Sequence, residues 1–362
     1  MNDHRSSKRG ENIFKGLKIG ELTTKYPLVQ GGMAVGISLD NLAGAVAKAG
    51  GIGVIGTAGI GLFENMKNYK EASKIALKKF IRSAKEKANG GVVGVNIMVA
   101  LTNYSDMVKT AIDEGIDIIF SGAGLPLSLP SYLTEKTKTK LVPIVSSVKA
   151  AQVIIKRWVS KYNYIPDAIV LEGPKAGGHL GFKSKEEIFS EKNSLENLVP
   201  QLKEFLISIE KKYGKKIPLI AGGGLFSKDD VKKILDLGAD GVQMATRFIA
   251  TEECDAHENF KKAIINAKSD DITIIKSPVG MPGRAIKNNF IVAVENGEKK
   301  PFECRYHCIK TCDFKTTPYC IAKALYNAAI GDLENGFVFT GASVEKITKI
   351  EKVENIIKEL FE

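Results

Sequence analysis

The stretch Ala168-Ile-Val-Leu-Glu-Gly-Pro-Lys-Ala-Gly-Gly-His-Leu-Gly181 joins a short apolar run to a glycine-rich loop that carries a histidine. A run of this length, bounded by turn residues, reads as a strand buried on both faces. The same pattern recurs along the chain. Apolar runs lie at 26–30, 51–55, 92–98, 116–121, 141–146, 168–172, 217–221 and 241–244. Amphipathic helical patterns at 39–49, 106–114, 148–159, 195–210 and 228–237 fall between them. Buried strands alternating with helices mean an α/β fold with a parallel sheet under helices. Eight such units over about 220 residues suit a (β/α)8 TIM barrel, with a doubly wound open sheet as the competing arrangement.

Beyond the eighth run the pattern turns irregular. The expected organisation is a flexible N-terminal tail (1–20), a barrel (21–250), an appended lid or substrate subdomain with a cysteine-bearing stretch (251–336), and a C-terminal segment (337–362). In that last segment a helix over 343–362 packs back on the barrel. The composition, 44% hydrophobic and 26% charged residues in a chain of 362, is that of a globular protein. No stretch approaches the ~18 apolar residues of a membrane span. The polar, lysine-rich start lacks the pattern of a secretory signal. Five cysteines, an odd number, argue against a disulfide framework. A soluble, cytoplasmic protein is expected. Net charge is +11, from 52 basic and 41 acidic residues. The lysines are dispersed among acids over helical stretches, which suits solvated faces and not a nucleic-acid footprint.

In barrel enzymes the chemistry sits in the loops after the strands. Here those loops read Gln30-Gly-Gly-Met33, Asn96-Ile-Met98, Glu172 to Gly181, Ala221-Gly-Gly-Gly224 and Gln243-Met-Ala-Thr-Arg247. The last two suggest a phosphate site, with backbone N–H groups around Gly223 and Gly224 and a hydroxyl at Thr246. A plain tight turn at Gly222–Gly224 is the alternative. Gly51-Ile-Gly-Val-Ile-Gly56 matches G-x-G-x-x-G, but it follows a helix and itself supplies a strand, so it is not a dinucleotide fingerprint. His179, one of four histidines, stands among glycines where imidazole can act as base, acid or donor. His4 falls in the expected tail, and His257 on a polar helix reads as structural. Cys304, Cys308 and Cys312 are spaced by four, with Cys320 eight later. On a helix the first three share a face, and the four are candidates for a zinc ion or an iron–sulfur cluster. The spacing matches neither common zinc pairs nor a ferredoxin run, so a reduced lid that merely contains cysteines is the other reading. No metal site is expected elsewhere.

Together these motifs resemble the FMN-dependent nitronate monooxygenase family (2-nitropropane dioxygenases) and its relatives, the FMN-dependent enoyl-ACP reductases. The shared segments are Pro27-Leu-Val-Gln-Gly-Gly-Met33, Gly94-Val-Asn-Ile-Met98, Glu172 to Gly181, Ala221 to Leu225 and Gly238 to Phe248, in one order along one barrel. The resemblance implies FMN as cofactor. By it, Gly32 and Met33 line the flavin, Asn96 hydrogen-bonds its ring, and Glu172, Gly177 and Gly178 border the ring and ribityl chain. Gly223, Gly224, Gln243, Met244, Ala245 and Thr246 hold the phosphate. His179 matches the family's active-site histidine, which by the resemblance either accepts a proton from a nitroalkane or contacts flavin and substrate. An anionic nitronate would find a favourable field near a protonated His179 or a backbone donor. The chain departs from the family at Lys175, where an acidic residue is frequent, at Ala245, where glycine is frequent, and in its cysteine stretch. The implied activity is oxidation of nitronates with O2 to carbonyl compounds and nitrite. The alternative is an NAD(P)H-dependent enoyl-ACP reductase, whose acidic carrier protein would suit Arg284 and Lys287 near the mouth. A non-enzymatic flavin- or cluster-binding regulator is the third reading. Whether the chain works as a monomer or a homodimer stays open.

Overall fold

The structure, a computed structural model, describes residues 14–298 and 302–362. Each of the eight apolar runs forms a barrel strand, with small shifts at the ends. They are β1 (Leu28–Gln30), β2 (Ile52–Gly56), β3 (Val92–Met98), β4 (Ile118–Gly122), β5 (Lys140–Val145), β6 (Ile169–Glu172), β7 (Leu219–Gly222) and β8 (Gly241–Met244). All neighbours are parallel, and β8 pairs back onto β1 at Val242↔Leu28, closing the barrel. An open doubly wound sheet is thereby excluded. The G-x-G-x-x-G look-alike is β2, as its context required.

Successive strand residues point to opposite faces. Val29, Ile118 and Val170 therefore join Ile52, Val54, Phe120, Val142 and Ile220 inside the barrel. Their neighbours Leu28, Ile119 and Ile169 join the outer layer under the helices. That layer is tight. A Cβ on Gly53 would stand 1.7 Å from the Ala43 carbonyl oxygen in helix Asp40–Lys48, so the helix backbone lies directly on β2.

The expected tail is shorter than 1–20. Residues 1–13, His4 among them, lie outside the described residues, but Phe14 and Leu17 are buried. Strand Lys18–Ile19 pairs antiparallel with Leu22–Thr23, and Leu17 and Ile19 belong to the inner cluster, so this hairpin closes the bottom of the barrel. The C-terminal helix is also shorter than expected, Val353–Phe361. It packs against helices Asp40–Lys48 and Lys228–Asp236, and Phe361 stacks on Tyr26 at 5.1 Å.

Between barrel and C-terminal helix lies a segment with its own core of Ile275, Phe290, Ile291, Tyr319, Ile321 and Phe337. Strands β9 (Ile272–Lys276) and β10 (Pro282–Ile286) form an antiparallel hairpin, and β10 also pairs with the two-residue strand Gly178–His179. The cysteine stretch is not the helix its i+4 spacing suggested. Ile309 pairs with Leu101 of the loop after β3, and Thr102 N–H donates to the Cys308 carbonyl. Asp313 then closes a turn, and a helix begins only at Ile321, after Cys320. Pairing with a neighbouring loop satisfies the backbone that a helix would otherwise have used. No helix among the described residues is long and apolar enough to cross a membrane.

Gly53→Ala should lower stability by roughly 1–3 kcal/mol through overpacking against helix Asp40–Lys48, read as a lower denaturant midpoint with an unchanged slope.

Candidate active site

A cavity of about 480 Å³ opens at the C-terminal rim of the barrel, beneath the segment that follows it. This is the size of a small-molecule or cofactor site. The structure gathers there every flavin-site and catalytic residue that the resemblance implied. Gly32 and Met33 follow β1, Asn96 comes from β3, and Glu172 ends β6. Gly177, Gly178 and His179 lie on the next loop, Gly223 and Gly224 follow β7, and Gln243, Met244, Ala245 and Thr246 end or follow β8.

His179 is held from above. Its residue pairs with Gly283 of β10, its Nε2 stands 2.7 Å from Ser277 Oγ, and Phe339 meets its ring edge-on at 5.0 Å. Burial pushes its pKa down to about 4. The imidazole is neutral at physiological pH, so the expected imidazolium is corrected. Sequence reading gave no role to Ser277, the side chain that meets His179. The signal available was the Ser277-Pro-Val-Gly280 turn, in which Ser277 N–H donates to the Met281 carbonyl.

Arg284 also corrects an expectation. It is buried, and its Nη1 donates to the carbonyls of Pro174 and Ala176, both at 2.6 Å. It therefore anchors the loop that presents His179 and offers nothing to an acidic partner at the surface. Burial lowers its pKa to about 10, which leaves it charged at neutral pH.

Glu172 faces the cavity with no hydrogen bond to its carboxyl group from the described residues. Burial alone raises its pKa to about 7. A half-buried carboxyl open to the cavity in this way suits a ligand that brings an N–H or O–H donor.

At the β7–β8 end, Gly223 and Gly224 adopt φ of +115° and +83°, and a Cβ on Gly224 would lie 2.7 Å from Lys175 Cβ. Glycine is required there by both strain and space. Thr246 Oγ1 accepts from Gly341 N–H at 2.9 Å, which leaves its own proton for a ligand. Ser343 Oγ donates to the Gly224 carbonyl, and Ala342 N–H to the Lys175 carbonyl. These small, polar, backbone-lined surroundings fit a phosphate and a polyol chain. The roof is apolar, built from Val279, Met281, Ile309, Leu325 and Phe339.

Cys304, Cys308, Cys312 and Cys320 lie near enough for their charges to act on one another, but they are not arranged as a ligand set. Among the described residues no three Cys, His, Asp or Glu side chains are arranged to hold a metal ion. Cys308 lines the cavity, and Cys304 Sγ lies 4.0 Å from His307 Nδ1. Burial, with a contribution from the neighbouring cysteines, raises the Cys308 thiol to about 12. His257 caps helix Glu258–Asn266 by accepting from Asn259 N–H, the structural role expected of it.

The profile of the nitronate monooxygenase family matches residues 15–362. The chain belongs to this family of FMN-dependent oxidoreductases. A probable nitronate monooxygenase from Staphylococcus saprophyticus is 26% identical over 298 residues, spanning 75% of this chain and 78% of the relative. Among solved structures, FabK from Thermotoga maritima superposes with a TM-score of 0.71 at 28% identity, covering 93% of this chain and 92% of its own. Nitroalkane oxidase from Streptomyces ansochromogenes superposes with a TM-score of 0.69 at 20% identity, covering 93% and 95%, and at that distance it shares the barrel fold.

Arg284→Ala should cost about 3 kcal/mol, because it strands two buried carbonyls. Lys287→Ala, at a more exposed position, should change stability by less than ~1 kcal/mol. Paired denaturation curves of the two variants test this.

Proposed function

We propose that the protein binds FMN in this cavity and oxidises alkyl nitronates with O2 to carbonyl compounds and nitrite. The observation that carries the reading is His179, a neutral imidazole locked over a cavity whose floor is the set of glycine and polar loops of β1, β3, β6, β7 and β8. The family membership supports the reaction class. Gly223, Gly224, Ala245 and Thr246 would hold the phosphate. Glu172, Asn96 and Gly177 would border the ring and ribityl chain, whose N–H and O–H groups suit the unpartnered Glu172 carboxyl. Bound there, FMN supplies the redox chemistry, taking electrons from the substrate and passing them to dioxygen. The protein's own part is to orient the nitronate, to exclude water with the apolar roof, and to present His179 to the reacting group.

A second reading, NAD(P)H-dependent reduction of an enoyl thioester, is favoured by the same roof. Val279, Met281, Leu325 and Phe339 offer an acyl chain more than they offer a small nitronate. The likeness to FabK points the same way. A visible spectrum of the purified protein tests the cofactor, and anaerobic mixing tests the reaction. Flavin bleaching by a nitronate but not by a nicotinamide supports the monooxygenase, and the reverse supports the reductase. Failure to take up FMN on reconstitution sinks both readings.

His179→Ala should reduce kcat/KM for nitronates by about 100-fold while FMN stays bound. Glu172 gives the pH dependence its sign. Below about pH 7 its carboxyl is protonated, and above it a negative charge faces the cavity. In the wild type, kcat/KM for an anionic nitronate should therefore fall as pH rises through about 7. Glu172→Gln should flatten that limb, and a limb unchanged in the variant rules Glu172 out as its source.

A further inference from the structure

Ser277 is buried, and its hydroxyl oxygen lies 2.7 Å from His179 Nε2. A serine hydroxyl has one proton to donate and two lone pairs. One lone pair receives the Val279 N–H, at 3.4 Å. Among the described residues only His179 Nε2 stands where it can accept the hydroxyl proton. If Nε2 carried the ring hydrogen, it would donate to Ser277, and the hydroxyl proton would be left without an acceptor in a place withdrawn from water. Buried polar groups avoid that arrangement. Satisfying both residues puts the serine proton on the Nε2 lone pair and the ring hydrogen on Nδ1. Nδ1 makes no hydrogen bond with the described residues, nor is it among the buried side-chain atoms that lack one. It is therefore accessible from the cavity that His179 lines.

We infer that Ser277 fixes His179 as an N–H donor through Nδ1, a group that can hydrogen-bond an anionic substrate and cannot take a proton from carbon. What this donor means for the substrate rests on the proposed nitronate oxidation. A nitronate carries its charge on two oxygens, and each accepts a charge-assisted hydrogen bond from Nδ1–H. A neutral nitroalkane must first give up a carbon-bound proton, and a nitrogen that bears hydrogen has no lone pair to receive it. The remaining ionisable groups on the cavity wall are Glu172, Lys175, Arg247 and Cys308. Arg247 is paired with Glu359, and the Cys308 thiol keeps its proton at neutral pH. Lys175 is exposed, and Glu172 is the carboxylate left to act as a base. Ser277 acts through His179 and is a positioning residue.

The test uses the flavin-loaded enzyme labelled with ring ¹⁵N and ¹³C histidine. The chain has four histidines, so His179 is assigned by its loss in His179→Asn. The expected spectrum is the Nδ1–H tautomer throughout neutral pH, a mixed population in Ser277→Ala, and restoration in Ser277→Thr. An Nε2–H tautomer or an imidazolium at neutral pH overturns the donor role. In parallel, kcat/KM is measured for propyl-2-nitronate and for freshly dissolved neutral 2-nitropropane. The nitronate should be favoured at least about 100-fold, and His179→Asn, whose amide keeps an N–H donor, should stay within about tenfold of wild type on it. Turnover of the neutral compound that survives Glu172→Gln overturns the donor role, since His179 is then the base left on the cavity wall. Turnover lost in that variant names Glu172 as the base and supports the donor role. Turnover of neither compound counts against nitronate oxidation itself, while the tautomer still decides the role of Ser277.

Discussion

Eight parallel strands leave no exposed edge only when the last pairs with the first. In this chain that condition is met where Val242 stands opposite Leu28. Closure has two consequences for everything above it. The interior must be filled by side chains from alternate positions, and here Leu17 and Ile19 complete that filling from below. Every βα loop must also emerge on one rim, which brings residues as distant as Gly32, Glu172 and Thr246 around one cavity.

The barrel provides the floor and the glycine-rich β7–β8 end of that cavity. The environment of His179 comes from elsewhere. Ser277 and Gly283 belong to the β9–β10 hairpin, Phe339 to the segment after it, and Arg284 ties the loop itself by two carbonyls. Burial under this cover lowers the histidine pKa and raises that of Glu172. Two groups that would be charged or half-charged in water thus face the ligand in altered states, and desolvation is the cause of both.

What could be read from the sequence follows from the range of the interaction responsible. The strands were legible because each is buried on both faces and so reads as a continuous apolar run. Helix bounds and the glycine loops were legible because caps, turns and φ angles are local. Ser277 and Arg284 were not. Their meaning depends on partners such as His179 and Pro174, 98 and 110 residues away. The cysteines at i, i+4 and i+8 suggested a helical face, but the pairing of Ile309 with Leu101 took the backbone first. Residues 14–20 looked like a tail because a plug of two apolar side chains is too short to show a period.

The stretch Thr340 to Ser343 joins the loops of three barrel strands: Ala342 bonds to Lys175, Ser343 to Gly224, and Gly341 to Thr246. On the ribosome the eighth strand ends at Met244, so the barrel can close long before these four residues are made. The nascent protein then passes through a stage with a closed barrel, loose rim loops and an outer layer still lacking the C-terminal helix. Completion of the cavity rim belongs after that stage, and a chain stalled within it would hold a closed barrel around an unfinished cavity.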